Sequence, residues 1–298
     1  MTLETYIWQI DQVVESLSDF GVSFNKVTVS LERINEILSD KLYNEEKYGE
    51  ISLDKNNGKI EFKNVSFKYR ETEDNTLENL NMTFLPNKKN AIVGRSGNGK
   101  STIFNLLLRY FDVNDGEILI DGVNIEKLTE ASLRKNISII RQTPFIFNMS
   151  IFDNLKIVKK DLTLEEAREV CKKAYVDDYF MSLKDGYDTM IGEAGINLSG
   201  GQKQRLAIAR TLLLDTKVIL WDEATSALDN ESQAYIKKTI DDLVKDHTVI
   251  IVAHRLSTIV DADIIHVIEK GKEVGLGTHE ELLKNNQIYR NLYQNEEK

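Results

Sequence analysis

Apolar residues recur every three or four positions from the start of the chain: Leu3, Tyr6, Ile7, Ile10, Val13, Val14, Leu17, Phe20, Phe24, Val27, Leu31, Ile34, Ile37 and Leu38. That spacing lines one face of a 3.6-residue repeat and predicts an amphipathic helix from Leu3 to Leu38, with no proline to interrupt it. A continuous helix would run roughly 50 Å at ~1.5 Å per residue, too long for one small domain to cover, so it needs a further partner surface. Asp40 to Lys59 is polar and charge-rich, and Asn56-Asn57-Gly58 is a turn signal. The expected organisation is a helical segment over 1–40, a linker over 41–58 and a folded domain over 59–298.

Beyond the linker, short apolar runs alternate with helical patterns. Strands are expected at Ile60 to Tyr69, Leu80 to Leu85, Asn90 to Val93, Ile118 to Ile120, Ile137 to Ile140, Val218 to Trp221, Thr248 to Val252 and Ile264 to Ile268. This alternation predicts an α/β fold with an antiparallel contribution near its start. The stretch over about 143–215 reads as helical. Thr163-Leu164-Glu165-Glu166 and Thr278-His279-Glu280-Glu281 both match a capping box, in which an N-cap hydroxyl and an acid three residues on satisfy each other's backbone N–H. No internal repeat or low-complexity tract interrupts the pattern.

The composition, 41% hydrophobic and 29% charged over 298 residues, supplies material for a substantial core. No stretch approaches the ~20 apolar residues needed to cross a bilayer, and no basic region followed by an apolar one opens the chain. As given, the chain is expected to be neither secreted nor membrane-spanning. Its one cysteine, Cys171, can form no internal disulfide, fits a reducing compartment and reads as a buried thiol. A formal charge of -10 argues against broad electrostatic binding to nucleic acid. Any chemistry must come from local sites.

Three motifs supply it. Gly94-Arg95-Ser96-Gly97-Asn98-Gly99-Lys100-Ser101-Thr102 fits G-x-x-x-x-G-K-[ST], a loop whose backbone N–H groups point inward on phosphate oxygens beside the positive end of a helix. A side chain at its glycines would block that approach. The context agrees, with a buried strand before the loop and the helical run Ile103 to Leu108 after it. The second motif is Leu198-Ser199-Gly200-Gly201-Gln202, and the third is the apolar run Val218-Ile219-Leu220-Trp221 ending in Asp222-Glu223. A carboxylate ending a buried strand is costly unless a cation pairs with it.

Together these motifs resemble the nucleotide-binding domains of ABC transporters, and Ser226-Ala227-Leu228-Asp229 with Ala253-His254-Arg255-Leu256-Ser257-Thr258 is similar to the exporter branch. The resemblance implies a RecA-like P-loop core, an antiparallel β subdomain and an inserted α-helical subdomain carrying LSGGQ, here preceded by the long amphipathic helix. It implies that Lys100 meets the β- and γ-phosphates of ATP and that Ser101, Gln142 and Asp222 serve Mg²⁺. Glu223 corresponds to the glutamate that orients or deprotonates the attacking water, and His254 to the histidine that reaches the γ-phosphate. Tyr69 matches the aromatic that stacks on adenine, with core packing as its competing role. Asn87 stands where exporters often have glycine, and asparagine also tolerates a positive φ.

The resemblance further implies that Leu198, Ser199, Gly200, Gly201 and Gln202 close over ATP held by a second copy, in a head-to-tail dimer whose D-loop is Ser226 to Asp229. Ile191 to Gly195 resembles the X-loop that touches a transmembrane domain. Phe145, Ile146 and Phe147 read either as the surface receiving a coupling helix or as core. Thr143 and Trp221 depart from the residues common at their positions, and Trp221 is expected to be buried. Val29 to Ile34 resembles the cytosolic end of an exporter's last transmembrane helix. The expected whole is therefore an ATPase half joined upstream to a transmembrane domain, at the cytoplasmic face of the plasma (inner) membrane. A soluble ABC ATPase acting on DNA or ribosomes generally carries a long coiled-coil insertion or two ATPase domains, which this sequence lacks. A non-hydrolysing module is opposed by Lys100, Asp222, Glu223 and His254.

Overall fold

A computed structural model describes residues 3–38, 48–54, 56–69, 74–192, 195–222, 230–253 and 258–296. The chain divides into two compact units, Met1–Lys47 and Tyr48–Lys298. In the first, α1 (Leu3–Leu38) is one helix of 36 residues, as the apolar period predicts. Its large apolar side chains are exposed, Trp8 by 62% and Leu17 by 66%. Among the described residues no helix is long and apolar enough to cross a membrane.

The second unit begins with β1 (Ile60–Phe67), β2 (Leu77–Phe84), β3 (Lys89–Val93), α2 (Lys100–Leu107), β4 (Asp115–Ile120), β5 (Val123–Asn124), α3 (Glu130–Asn136) and β6 (Ile137–Ile140). It continues through α4 (Ile151–Lys156), α5 (Leu164–Lys173), α6 (Asp177–Ser182), α7 (Gly200–Leu212) and β7 (Val218–Asp222). It ends with α8 (Asn230–Leu243), β8 (Thr248–Val252), β9 (Ile264–Glu269), β10 (Lys272–Gly277), α9 (His279–Asn285) and α10 (Gln287–Glu296). Residues 48–54 are tied to this unit by backbone bonds of 2.9 Å from Gly49 N to Leu128 O, from Ile51 N to Lys127 O and from Thr129 N to Ile51 O.

Two sheets organise these elements. One is antiparallel, in the order β2-β1-β4-β5, and the other runs β10-β9-β3-β8-β7-β6. In the larger sheet β9, β3, β8, β7 and β6 are parallel, and β10 pairs antiparallel at one edge. Every residue of β3 and β8 is buried, as expected of central parallel strands covered on both faces. The mixed α/β class therefore agrees with the sequence. Three details differ from it. β2 starts at Leu77 rather than Leu80, where Asn79 takes φ 48° and register shifts break the alternation. β5 is only two residues long. β10, with its glycines and alternating exposure, lacks an apolar run because it is an edge strand.

Several local expectations hold. Asn87 has φ 52°, and its N–H donates to Thr248 Oγ1 at 3.0 Å. Both predicted capping boxes form, on α5 and α9. Trp221 is 1% exposed. Cys171 is fully buried on α5, and burial pushes its thiol up to about 12. Beside it, Asp177 is buried and receives bonds from Arg168 Nε at 3.2 Å, Arg168 Nη2 at 3.1 Å and Tyr187 Oη at 2.8 Å. Burial pushes its carboxyl up, but the Arg168 and Tyr187 bonds outweigh that and hold it below the ordinary carboxylate range.

Candidate nucleotide-binding site

The loop 94–99 leaves the carboxyl end of β3 and enters α2. A Cβ on Gly94 would lie 2.2 Å from the Ile268 carbonyl oxygen, so only glycine fits this close approach to β9. Asn98 donates from Nδ2 to the same carbonyl at 3.0 Å, which fastens the loop to the sheet. Gly99 is the N-cap of α2 at φ 91°, a left-handed conformation, and no side chain caps the helix. Lys100 is only 5% exposed. Its Nζ donates to the carbonyls of Gly94 at 2.7 Å and Arg95 at 3.0 Å, so the ammonium sits within the curve of the loop. Ser101 is exposed at the start of α2, and Thr102 is buried.

Tyr69 follows β1 and is brought to this helix. Its hydroxyl is 3.1 Å from Thr102 Oγ1, and Asn105 Nδ2 donates to it at 3.4 Å. The ring meets Phe67 and Phe111 edge-on, with centroids 4.9 and 5.1 Å away. It is half-buried. Asn105 was not singled out by the sequence, since its role depends on a partner distant along the chain.

The remaining residues gather at the same edge because β6, β7, β8 and β3 are parallel. Ile140, Trp221, Ile251 and Ala91 are successive register partners across the four strands. One step further, Asp222 is level with Val252, which is level with Ile92. Gln142, exposed, follows β6, and Asp222, half-buried, ends β7. The phosphate-type loop thus shares its strand-end edge with an amide and a carboxylate, where open α/β sheets bind ligands. Glu223, Ser226, Ala227, Leu228, Asp229 and His254 lie outside the described residues, as do Glu193 and Ala194 of the X-loop-like segment.

LSGGQ forms the start of α7. Leu198 is buried, Ser199 is the exposed N-cap, and Gly200 and Gly201 occupy the first turn. Ser199 Oγ accepts from Gln202 N at 3.3 Å, while Gln202 Oε1 accepts from Ser199 N at 2.8 Å. This is a third capping box. The signal for it, Ser-x-x-Gln, stands in the sequence but is masked there by the motif's resemblance. Further along α7, Gln204 and Arg210 donate to the carbonyls of Arg141 and Phe145, at 3.1 and 2.5 Å. Phe145 is 71% exposed and meets Phe147 edge-on at 4.8 Å.

Fold and loop together define a P-loop nucleotide-binding domain. Residues 77–226 match the family model for ABC transporters. The chain is 39% identical, over 98% of its length and 51% of the relative's, to a putative multidrug export ATP-binding/permease protein, YgaD, of Bacillus subtilis. It is 43% identical to an ATP-dependent lipid A-core flippase of Haemophilus influenzae, over 94% of this chain and 48% of that protein. A bacterial Atm1-family ABC exporter, solved with ATP bound, superposes with a TM-score of 0.80 at 35% identity, covering 95% of this chain and 50% of that one. The chain belongs to the ABC transporter family, as an ATP-binding domain of the exporter type, a class that hydrolyses ATP. It spans about half the length of the relatives it matches.

Proposed function

We propose that the chain binds and hydrolyses ATP in a head-to-tail dimer and so powers export through an associated transmembrane domain. That domain would be fused upstream and would hold the chain at the cytoplasmic face of the plasma (inner) membrane. In this reading 1–40 is the cytosolic end of the membrane part, 41–58 the linker, with its stretch 48–54 bonded onto the domain it leads to, and 59–298 the ATPase domain, with its helical insertion over about 143–215. The observation that carries the proposal is the α2 N-terminus: a helix with no side-chain cap, a glycine-held loop and an inward lysine. This combination suits polyphosphate.

On ATP binding, Lys100 exchanges its two carbonyl partners for β- and γ-phosphate oxygens, and the backbone N–H groups of 94–102 take the rest. Tyr69 offers its ring face to adenine while Thr102 and Asn105 hold its hydroxyl. Ser101, Asp222 and Gln142 supply a hydroxyl, a carboxylate and an amide oxygen, hard donors that fit Mg²⁺; bound there, Mg²⁺ would neutralise developing phosphate charge. Glu223 accepts the proton of the water that attacks the γ-phosphorus as the bond to the β–γ bridging oxygen breaks. His254 contacts the γ-phosphate. Ser199, Gly200 and Gly201 of the second copy close the site, and Ser226 to Asp229 line the interface.

Complementation tests the shared site. Lys100→Ala and Ser199→Arg should each lack turnover alone. Mixed equally with free exchange, about half the dimers are mixed, each with one intact site, so about a quarter of wild-type sites return. Phosphate release and trapped ATP per dimer read this out. No recovery in either, with subunit exchange confirmed, ends the head-to-tail reading.

A further inference from the structure

The turn that carries Gln142 is held at both ends by one helix. Just before Gln142, the Arg141 carbonyl accepts from Gln204 Nε2 at 3.1 Å; three residues after it, the Phe145 carbonyl accepts from Arg210 Nη2 at 2.5 Å. Gln204 and Arg210 are six residues apart on α7, roughly 9 Å at ~1.5 Å per residue, and so bracket the turn. Pro144 lies inside the bracket, where it fixes its own φ and restricts Thr143. Asn154, fully buried on α4, pins the far side: its Oδ1 accepts from Phe147 N and its Nδ2 donates to Phe147 O, both at 3.0 Å.

Packing alone does not call for these side chains. Gln204 is 1% exposed, a place where an aliphatic residue of similar volume would avoid burying an amide. Among the described residues no carboxylate pairs with Arg210 within salt-bridge distance, and its guanidinium donates instead to the turn's carbonyl. Gln142, exposed between the two ties, is thereby set on the strand-end edge. We propose that Gln204 and Arg210 are positioning residues for Gln142, holding the backbone on either side so that its amide meets the nucleotide site in one orientation. The proposal rests on the reading of Gln142 as a residue of the ATP site.

The test compares Gln204→Leu, Arg210→Leu, Arg210→Lys and Gln142→Ala in the full chain. Both leucine variants should lower kcat about tenfold, the scale of one lost hydrogen bond, with KM for ATP within about twofold. They should raise the Mg²⁺ concentration for half-maximal turnover several-fold, and Gln142→Ala should do the same. Amide hydrogen exchange over 141–147 should quicken about tenfold while β3 and β8 keep their protection. Arg210→Lys, which retains a donor, should restore most of both effects. Should Gln204→Leu not fold, Arg210→Leu carries the test. Faster exchange over 141–147 with wild-type turnover would make the ties merely structural and overturn the proposal. Wild-type turnover and Mg²⁺ dependence in Gln142→Ala would overturn it differently, by removing the role of Gln142 itself.

Discussion

The two glycine-rich motifs each form a helix N-terminus, at α2 and at α7, and the two ends are finished in opposite ways. α2 has a left-handed glycine at its N-cap and no capping side chain, whereas α7 closes on itself through Ser199 and Gln202. Neither carries an acid in its first turn, although α3, α4, α5, α6, α8 and α9 all do. α10 also lacks one, and there Asn286 accepts from Tyr289 N. Acids normally complement the positive end of a helix, so their omission leaves both motif ends without a fixed negative charge. The α2 end has no capping bond to give up, and its loop is held by glycine geometry together with the Asn98 and Lys100 side chains. α7 is satisfied in isolation and must exchange two hydrogen bonds, each worth about 0.5–1.5 kcal/mol net, for any ligand that takes their place.

The contrast is broken most severely at Gly99. Gly99→Ala places a Cβ at φ 91° and 2.7 Å from Leu77 Cδ2, so we expect about 1–3 kcal/mol lower stability in urea unfolding and at least tenfold weaker ATP binding. Unchanged ATP affinity would remove the need for this conformation. Gly200→Ala should act with opposite sign on stability. Gly200 is exposed at the first position of α7, where alanine favours helix by less than the ~0.5–1 kcal/mol of a helix interior, so the variant should unfold slightly later yet turn over ATP more slowly. Turnover equal to wild type would deny the glycine any role in phosphate approach.

Gln202→Glu keeps a capping box and adds charge. We expect about 0.3–1 kcal/mol of added helix stability, together with weaker ATP-driven association of two copies in sedimentation; stronger association would contradict an anion site at this end. The smallest effect separates the three capping boxes by pH. The Lys159 hydrogen bond, aided by Thr163 N–H, holds Glu166 down to about 2, and the Thr278 N–H holds Glu281 below its ordinary 4.5. Depressed folded values mean that these caps stabilise fully above about pH 4.5 and weaken as pH falls toward the folded value. Gln202 does not titrate. Amide exchange should therefore show α5 and α9 starts loosening from pH 5 to 3 before the α7 start; parallel loosening would count against the assignment.

How much was legible followed from the range of each interaction. α1, the buried parallel strands and the two glutamate capping boxes rest on local period or spacing, and the sequence displays them. The Asn87 turn was readable because one residue's tolerance of positive φ decides it. β10 was not, since Val274 and Leu276 alternate with glycines at a sheet edge. Asn105, Gln204 and Arg210 remained hidden for another reason: their partners at 69, 141 and 145 are 36, 63 and 65 residues away. The loop 94–99 was plain as a pattern, but the fastening of Asn98 and Gly94 to Ile268 requires the strand order.

That strand order also fixes when the site can exist. β8 lies between β3 and β7, although it follows both along the chain. A nascent chain that has released everything through Asp222 holds the phosphate loop and the carboxylate on strands with nothing yet between them. They become neighbours in one sheet only once Thr248–Val252 has left the ribosome. At about 5–20 residues per second that wait is on the order of seconds, during which the edges of β3 and β7 that β8 fills have no partner strand. The loop and the carboxylate therefore come to share one sheet edge only when most of the domain has been made.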